Sequence, residues 1–295
     1  MPVIRTPDER FDHLPDFPYP PQYIEIDGLR MHYIEAGSGD PILCLHGEPT
    51  RSFLYRKMIP PLAKVGRVIA PDLIGFGRSD KYTELEEYSY RMHHNALTGF
   101  IITLDLQRIT LVCQDWGGVL GLPIVMDMPE RFARLVIMNT GLPGGDVRMQ
   151  DGFMQWRDFA TRTGRDLEPG QLVKISSVNQ DAITSEIQAA YDAPFPDAAY
   201  RAGVAAFPLL IPLQLDDAGA AEIRLAREKL ASWDKPALVM FSDSDPVTRG
   251  GDRFFRKLIP TAKEQITIEG AGHFLQEEKG EIIAEKIVDF IRQTP

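Results

Sequence analysis

Cysteine is scarce in this chain. Only Cys44 and Cys113 occur among 295 residues, too few for a disulfide framework. Both sit in apolar runs, where a free thiol packs as a small hydrophobe. Long hydrophobic runs are missing too, since no stretch approaches the ~18 apolar residues of a membrane span. The opening segment, MPVIRTPDERFDHLPDFPYPPQY, is rich in charge and proline and has no apolar core, which argues against a signal peptide. Together these absences predict a cytoplasmic, reduced protein. Positive charge is not in excess either. The 32 basic side chains are outnumbered by 42 acidic ones, for a formal charge of −10 and a pI near 5.1. Nucleic acid demands clustered Lys and Arg against its phosphates, so no nucleic-acid partner is expected, and no anionic membrane surface. No cluster of His, Cys or carboxylates has metal-ligand spacing, and no metal or organic cofactor is called for.

What remains is a globular balance, with 44% hydrophobic and 25% charged residues, enough apolar material for a substantial core. The length lies at the upper edge of what one core supports, roughly 250–300 residues, so a large domain with an insertion is expected. The first 22 residues read as an irregular strap. Ile24–Ile26 and Arg30–Ile34 flank Asp27-Gly28, a hairpin signal. Further short apolar strands are predicted at Pro41–Leu45, Val68–Ala70, Ile109–Gln114, Leu135–Asn139, Ala237–Phe241 and Gln265–Ile268. Helical spacing is seen over Phe53–Ala63, 90–105, Val119–Met126, Arg253–Leu258 and Glu281–Arg292. Strands alternating with helices predict an α/β fold with a mostly parallel central sheet flanked by helices. Residues 141–212 break that rhythm. They carry helical patches at Met149–Thr161 and Ala182–Tyr191 and no convincing strand. The expected organisation is a core of 1–140 and 213–295 with a helical cap, 141–212, inserted between two strands.

The chemistry centres on Cys113-Gln114-Asp115-Trp116-Gly117-Gly118, between a strand and a helix. A nucleophile elbow occupies such a place: a sharp turn with small residues two positions either side of the nucleophile, here Cys113 and Gly117. Its central residue is Asp115 rather than Ser. An Asp there is often only a helix N-cap. A carboxylate can, however, displace a leaving group from a saturated carbon and form an ester. Water then attacks the carboxyl carbon of Asp115, through an oxyanion that needs donors. The backbone N–H groups of Trp116 and of Glu48, just after His46-Gly47, are candidates. His273 follows a strand and precedes the last helix, where this architecture carries its base, and Asp245 follows the preceding strand and can orient the imidazole. Asp243 competes with it, but Asp245 lies deeper in the turn and abuts Pro246. The order Asp115, Asp245, His273 is nucleophile, acid, base. A departing halide needs donors in an apolar frame, and indole N–H groups are donor-only. Trp116 offers one. Trp156, three residues after Phe153, faces the same cavity or simply packs within the cap. Trp233 reads as structural.

These segments resemble the haloalkane dehalogenases of the α/β-hydrolase fold superfamily over almost the whole chain. The matching stretches are His46-Gly47-Glu48-Pro49-Thr50, Ala70-Pro71-Asp72 with Gly75-Phe76-Gly77-Arg78-Ser79-Asp80, Gln114-Asp115-Trp116-Gly117-Gly118, Asp151-Gly152-Phe153-Met154-Gln155-Trp156, Ala193-Pro194-Phe195-Pro196-Asp197 and Ala271-Gly272-His273-Phe274. The resemblance implies a branch with two halide-binding tryptophans, Trp116 and Trp156, and a small apolar halogenated substrate. It also implies a pocket lined by Val119, Phe153, Phe207, Pro208, Ile211 and Val247. One departure is Arg51, where the family pattern carries Trp; a cation there either raises halide affinity or faces solvent, and the second is expected. Two alternatives use the same scaffold. An epoxide hydrolase would need phenol donors, for which Tyr191 and Tyr200 are available. A non-catalytic ligand-binding protein of the same fold would bind without turnover. Oligomeric state is not written in the sequence.

Overall fold

The computed structural model describes residues 3–262 and 264–294. Eight strands form one sheet: β1 (Gln22–Ile26), β2 (Leu29–Gly37), β3 (Pro41–Leu45), β4 (Arg67–Pro71), β5 (Ile109–Gln114), β6 (Phe132–Met138), β7 (Ala237–Ser242) and β8 (Ile266–Ile268). Their spatial order is β8-β7-β6-β5-β3-β4-β2-β1. β1 and β2 form an antiparallel hairpin with Ile26 opposite Leu29, closed by Asp27 and Gly28, both at positive φ. That pair of left-handed residues gives the turn a twist matching the strands. β2 also runs antiparallel to β4, and every other pairing in this sheet is parallel.

β3 and β5 are buried along their whole length, as strands covered on both faces must be. Leu43, Leu45, Leu111, Cys113, Leu135 and Ile137 belong to one cluster with α1 (Tyr90–Thr103) and α2 (Trp116–Asp127). Ile42, Cys44, Val112, Val136 and Met138 face another, completed by the closing helix. The period-two alternation thus fills two layers at once. Between β6 and β7 come α3 (Asp151–Thr163), α4 (Pro169–Ile175), α5 (Ser185–Asp192), α6 (Ala202–Leu210) and α7 (Ala220–Leu230). Then α8 (Gly251–Leu258) follows β7, and α9 (Leu275–Gln293) closes the chain. Among the described residues no helix is long and apolar enough to cross a membrane.

Two expectations change. Helical spacing over Phe53–Ala63 gives only a 3-10 turn, Ser52–Tyr55, and one helical turn, Ile59–Leu62. Pro60 and Pro61 lack the N–H groups that a continuous helix would need, and suit only its first turn. The opening strap is also less irregular than expected. Val3–Ile4 pairs with Lys81–Tyr82, and Arg5 Nε donates to Asp80 at 2.6 Å.

Candidate active site

The groups singled out in sequence come together because four parallel strands end on one edge of the sheet. Glu48 lies beyond β3, Asp115 beyond β5, Asp245 beyond β7 and His273 beyond β8. Loops at the carboxyl ends of parallel strands are where such sheets present ligand sites.

Asp115 adopts φ 52° and ψ −126°, a region L side chains rarely enter, at a cost of roughly 1–3 kcal/mol. The surroundings enforce that turn. Asp115 N–H donates to the Asn139 carbonyl at 2.9 Å, and Thr140 Oγ1 donates to the Asp115 carbonyl at 2.6 Å. Gly117 is required by crowding, since a Cβ there would lie 2.1 Å from the Leu45 carbonyl oxygen. The Asp115 side chain caps nothing in α2. Instead Oδ1 accepts from the Glu48 N–H at 2.9 Å, and Oδ2 lies 3.5 Å from His273 Nε2.

The loop that supplies Glu48 is held from behind. Leu73 N–H donates to His46 Nε2 at 2.9 Å, so the proton sits on Nδ1, which donates to the Gly47 carbonyl at 2.8 Å. Asp72 braces the neighbouring segments by accepting from Ser52 N–H, Arg78 N–H and His32 Nδ1. The His-Gly and Pro-Asp motifs therefore build this end of the sheet.

His273 Nδ1 lies 3.0 Å from Asp245 Oδ2. Burial pushes the Asp245 carboxyl up, but the His273 charge and hydrogen bonds from His273, Thr248 and Val247 outweigh it and hold it below the usual range. For His273, burial opposes the charged form. Asp245 and Asp115 overcome that and push its pKa up to about 10. Asp243 plays a different part, because its carboxylate accepts from the N–H groups of Gly270 and Ala271 and so braces the loop that leads to His273.

Sequence reasoning missed three supports. Gln114 Nε2 lies 3.1 Å from His273 Nε2 and donates to the His273 carbonyl at 3.3 Å. Asn139 Nδ2 donates to the carbonyls of Gly272 and His273. His273 N–H donates to the Ser176 carbonyl, tying His273 to the segment after α4. Gln114 was visible inside the motif. The other two become visible only when β6 and α4 are placed in space.

Asp115 opens into a cavity of about 520 Å³ whose wall includes Glu48, Trp116, Phe153, Trp156, Pro208, Ile211, Val247 and His273. A smaller cavity, about 250 Å³, reaches Asp115 past Val119 and shares Phe153, Ile211 and Val247. Among the described residues no protein acceptor takes the indole N–H of Trp116 or Trp156. Phe207 departs from expectation. It lines neither cavity, being fully buried behind Trp116 with ring centroids 4.7 Å apart. Arg51 does not face solvent. Only 2% exposed, it lies against Phe11, Phe17 and Phe53 and donates to the Ala190 carbonyl, and burial lowers its pKa to about 10. The phenol donors an epoxide hydrolase would need also point elsewhere. Tyr191 OH donates to Glu277 Oε2 at 2.7 Å, and neither Tyr191 nor Tyr200 lines the cavity. Trp233 is buried with Lys235 over its ring.

Known proteins agree with this architecture. The alpha/beta hydrolase fold family matches residues 40–280. A haloalkane dehalogenase of Psychrobacter cryohalolentis is 46% identical over 310 residues, covering 100% of both chains. Haloalkane dehalogenase 1 of Mycobacterium tuberculosis is 45% identical over 303 residues, again covering 100% of each. The tetrameric haloalkane dehalogenase DpaA of Paraglaciecola agarilytica superposes with a TM-score of 0.91 at 42% identity, over 97% of each chain. The chain belongs to the haloalkane dehalogenases of the alpha/beta hydrolase fold family.

Proposed function

We propose that this protein hydrolyses carbon–halogen bonds in small apolar haloalkanes, giving alcohol, halide and a proton through an alkyl ester on Asp115. One observation carries the reading. The Asp115 carboxylate stands at a strained bend, one oxygen tied to the Glu48 N–H and the other 3.5 Å from His273 Nε2, and it faces a cavity. In the first step Asp115 attacks the halogen-bearing carbon from the side opposite the halide. The indole N–H groups of Trp116 and Trp156 receive the departing anion, and both tryptophans line that cavity. Residues 141–212 act as a cap that supplies Trp156 and excludes bulk water.

Hydrolysis follows at the ester. His273, oriented by Asp245, takes a proton from water, whose oxygen attacks the Asp115 carboxyl carbon. The resulting oxyanion is held by the N–H groups of Glu48 and Trp116. The tetrahedral intermediate then collapses and the C–O bond to the alkoxide breaks. The His273 imidazolium returns its proton to give the alcohol, whose oxygen comes from Asp115; Asp115 loses the remaining proton and is restored as the carboxylate. The chemistry needs no metal or organic cofactor.

His273→Gln tests this division of labour. With a bromoalkane it is expected to release about one bromide per chain and stop, and intact-protein mass spectrometry should show one added alkyl group. Bromide release without an alkyl adduct would remove Asp115 as nucleophile.

A further inference from the structure

The reaction leaves one titratable side chain in the cavity wall without a role, that of Glu48. Its N–H is fixed on Asp115 Oδ1 at 2.9 Å, which holds the side chain close to the nucleophile. The residue is only 5% exposed, lines the main cavity, and its Oε1 is buried with no hydrogen-bond partner among the described residues.

The charges around it are unbalanced. Asp115 faces Glu48 from the β5–α2 turn, and His273 faces it from the loop ahead of α9, with Asp245 behind the imidazole. On its own loop His46 is buried, with both ring nitrogens bonded to the main chain, and Arg51 turns away to the Ala190 carbonyl. Among the described residues no lysine or arginine lines the main cavity. Asp115 and Asp245 already share a single imidazole, and a third carboxylate would have no cation. A buried carboxylate without a partner escapes its desolvation penalty by taking a proton. An anion at Glu48 would also oppose the first step, which deposits a halide in the same space.

We propose that Glu48 works as a neutral carboxylic acid: protonated, it leaves the cavity open to the departing halide, and ionised, it closes that cavity to anions. The proposal rests on the dehalogenation reading given above. Burial pushes the Glu48 carboxyl well above the usual carboxylate range; Asp115 adds to the effect and His273 opposes it. Halide affinity then belongs to the protonated form. It falls about tenfold for each pH unit above the point where Glu48 ionises.

Two measurements test this. Bromide titrations, read by quenching of tryptophan fluorescence from neutral to alkaline pH, should show affinity falling in the wild type. In Glu48→Gln, whose amide keeps the shape and does not titrate, only the loss that accompanies His273 deprotonation near pH 10 should remain. Infrared spectra at neutral pH should show the C=O stretch of a protonated carboxylic acid in the wild type and lose it in Glu48→Gln. A wild-type spectrum without that band overturns the proposal even where the variant fails to fold. So does a level wild-type bromide profile, or a variant profile that superimposes on the wild type and so assigns the whole alkaline loss to His273. Bromide that binds at no pH counts against the dehalogenation reading instead, and the infrared band still decides Glu48.

Discussion

His273 is gripped by two carboxylates, and this sets its timing. Asp245 and Asp115 hold it in the charged form, with a pKa of about 10, yet an imidazolium cannot take a proton from water. In the proposed reaction, esterification of Asp115 resolves the conflict: the ester carries no charge, so one of the two causes disappears at the step that needs a base. Asp245 stays to orient the ring. The same pairs contribute to folding. Because the folded-state pKa is raised, their contribution is complete below the ordinary value of 6.5 and lost as pH rises toward about 10. The wild-type Tm is expected to fall more steeply across that window than the Tm of His273→Gln; parallel curves would show no coupling to folding. Trp156→Ala should weaken bromide binding about tenfold or more, the scale of a hydrogen bond to an anion, as read by fluorescence quenching. Unchanged affinity would remove Trp156 from the halide site. Asp115, Asp245 and His273 were legible because residue type, chain order and strand ends define them. Arg51 and Phe207 were not, because their neighbours decide where they point: aromatic rings enclose Arg51, and Trp116 stands between Phe207 and the cavity.

Among the elements, the β5–turn–α2 unit is the most constrained. Gly117 and Gly118 lie against Leu45 and Thr140, where an added Cβ would come within 2.1 and 2.2 Å of an oxygen. Gly117→Ala is therefore expected to destabilise the fold by about 3 kcal/mol and to cut turnover as Asp115 shifts, as measured by urea unfolding and bromide release. A fully stable and active variant would show that the turn can relax. Strands were readable as short apolar runs between turn residues, Ile109–Gln114 above all. Helices α4, α6 and α7 carry weaker signals. Pro169 opens α4 and Pro208 interrupts α6, while α7 buries only Ala220, Ile223, Ala226 and Leu230 in a charged sequence. Tertiary packing rather than periodicity stabilises these helices.

At the scale of the molecule, parallel connectivity turns distance in sequence into proximity. Asp115, Asp245 and His273 converge because β5, β7 and β8 point the same way and end on the same edge. The helices between β6 and β7 complete the chamber, and its volume follows from their placement, which no local pattern encodes. On the proposed mechanism the whole assembly presents one carboxylate to a saturated carbon, so the direct test follows the oxygen. A single turnover in heavy-oxygen water, with enzyme in excess over a bromoalkane, should place the label in the Asp115 carboxylate and leave the first-formed alcohol unlabelled. Labelled alcohol with an unlabelled Asp115 would mean that water attacks the substrate directly, and would contradict the account.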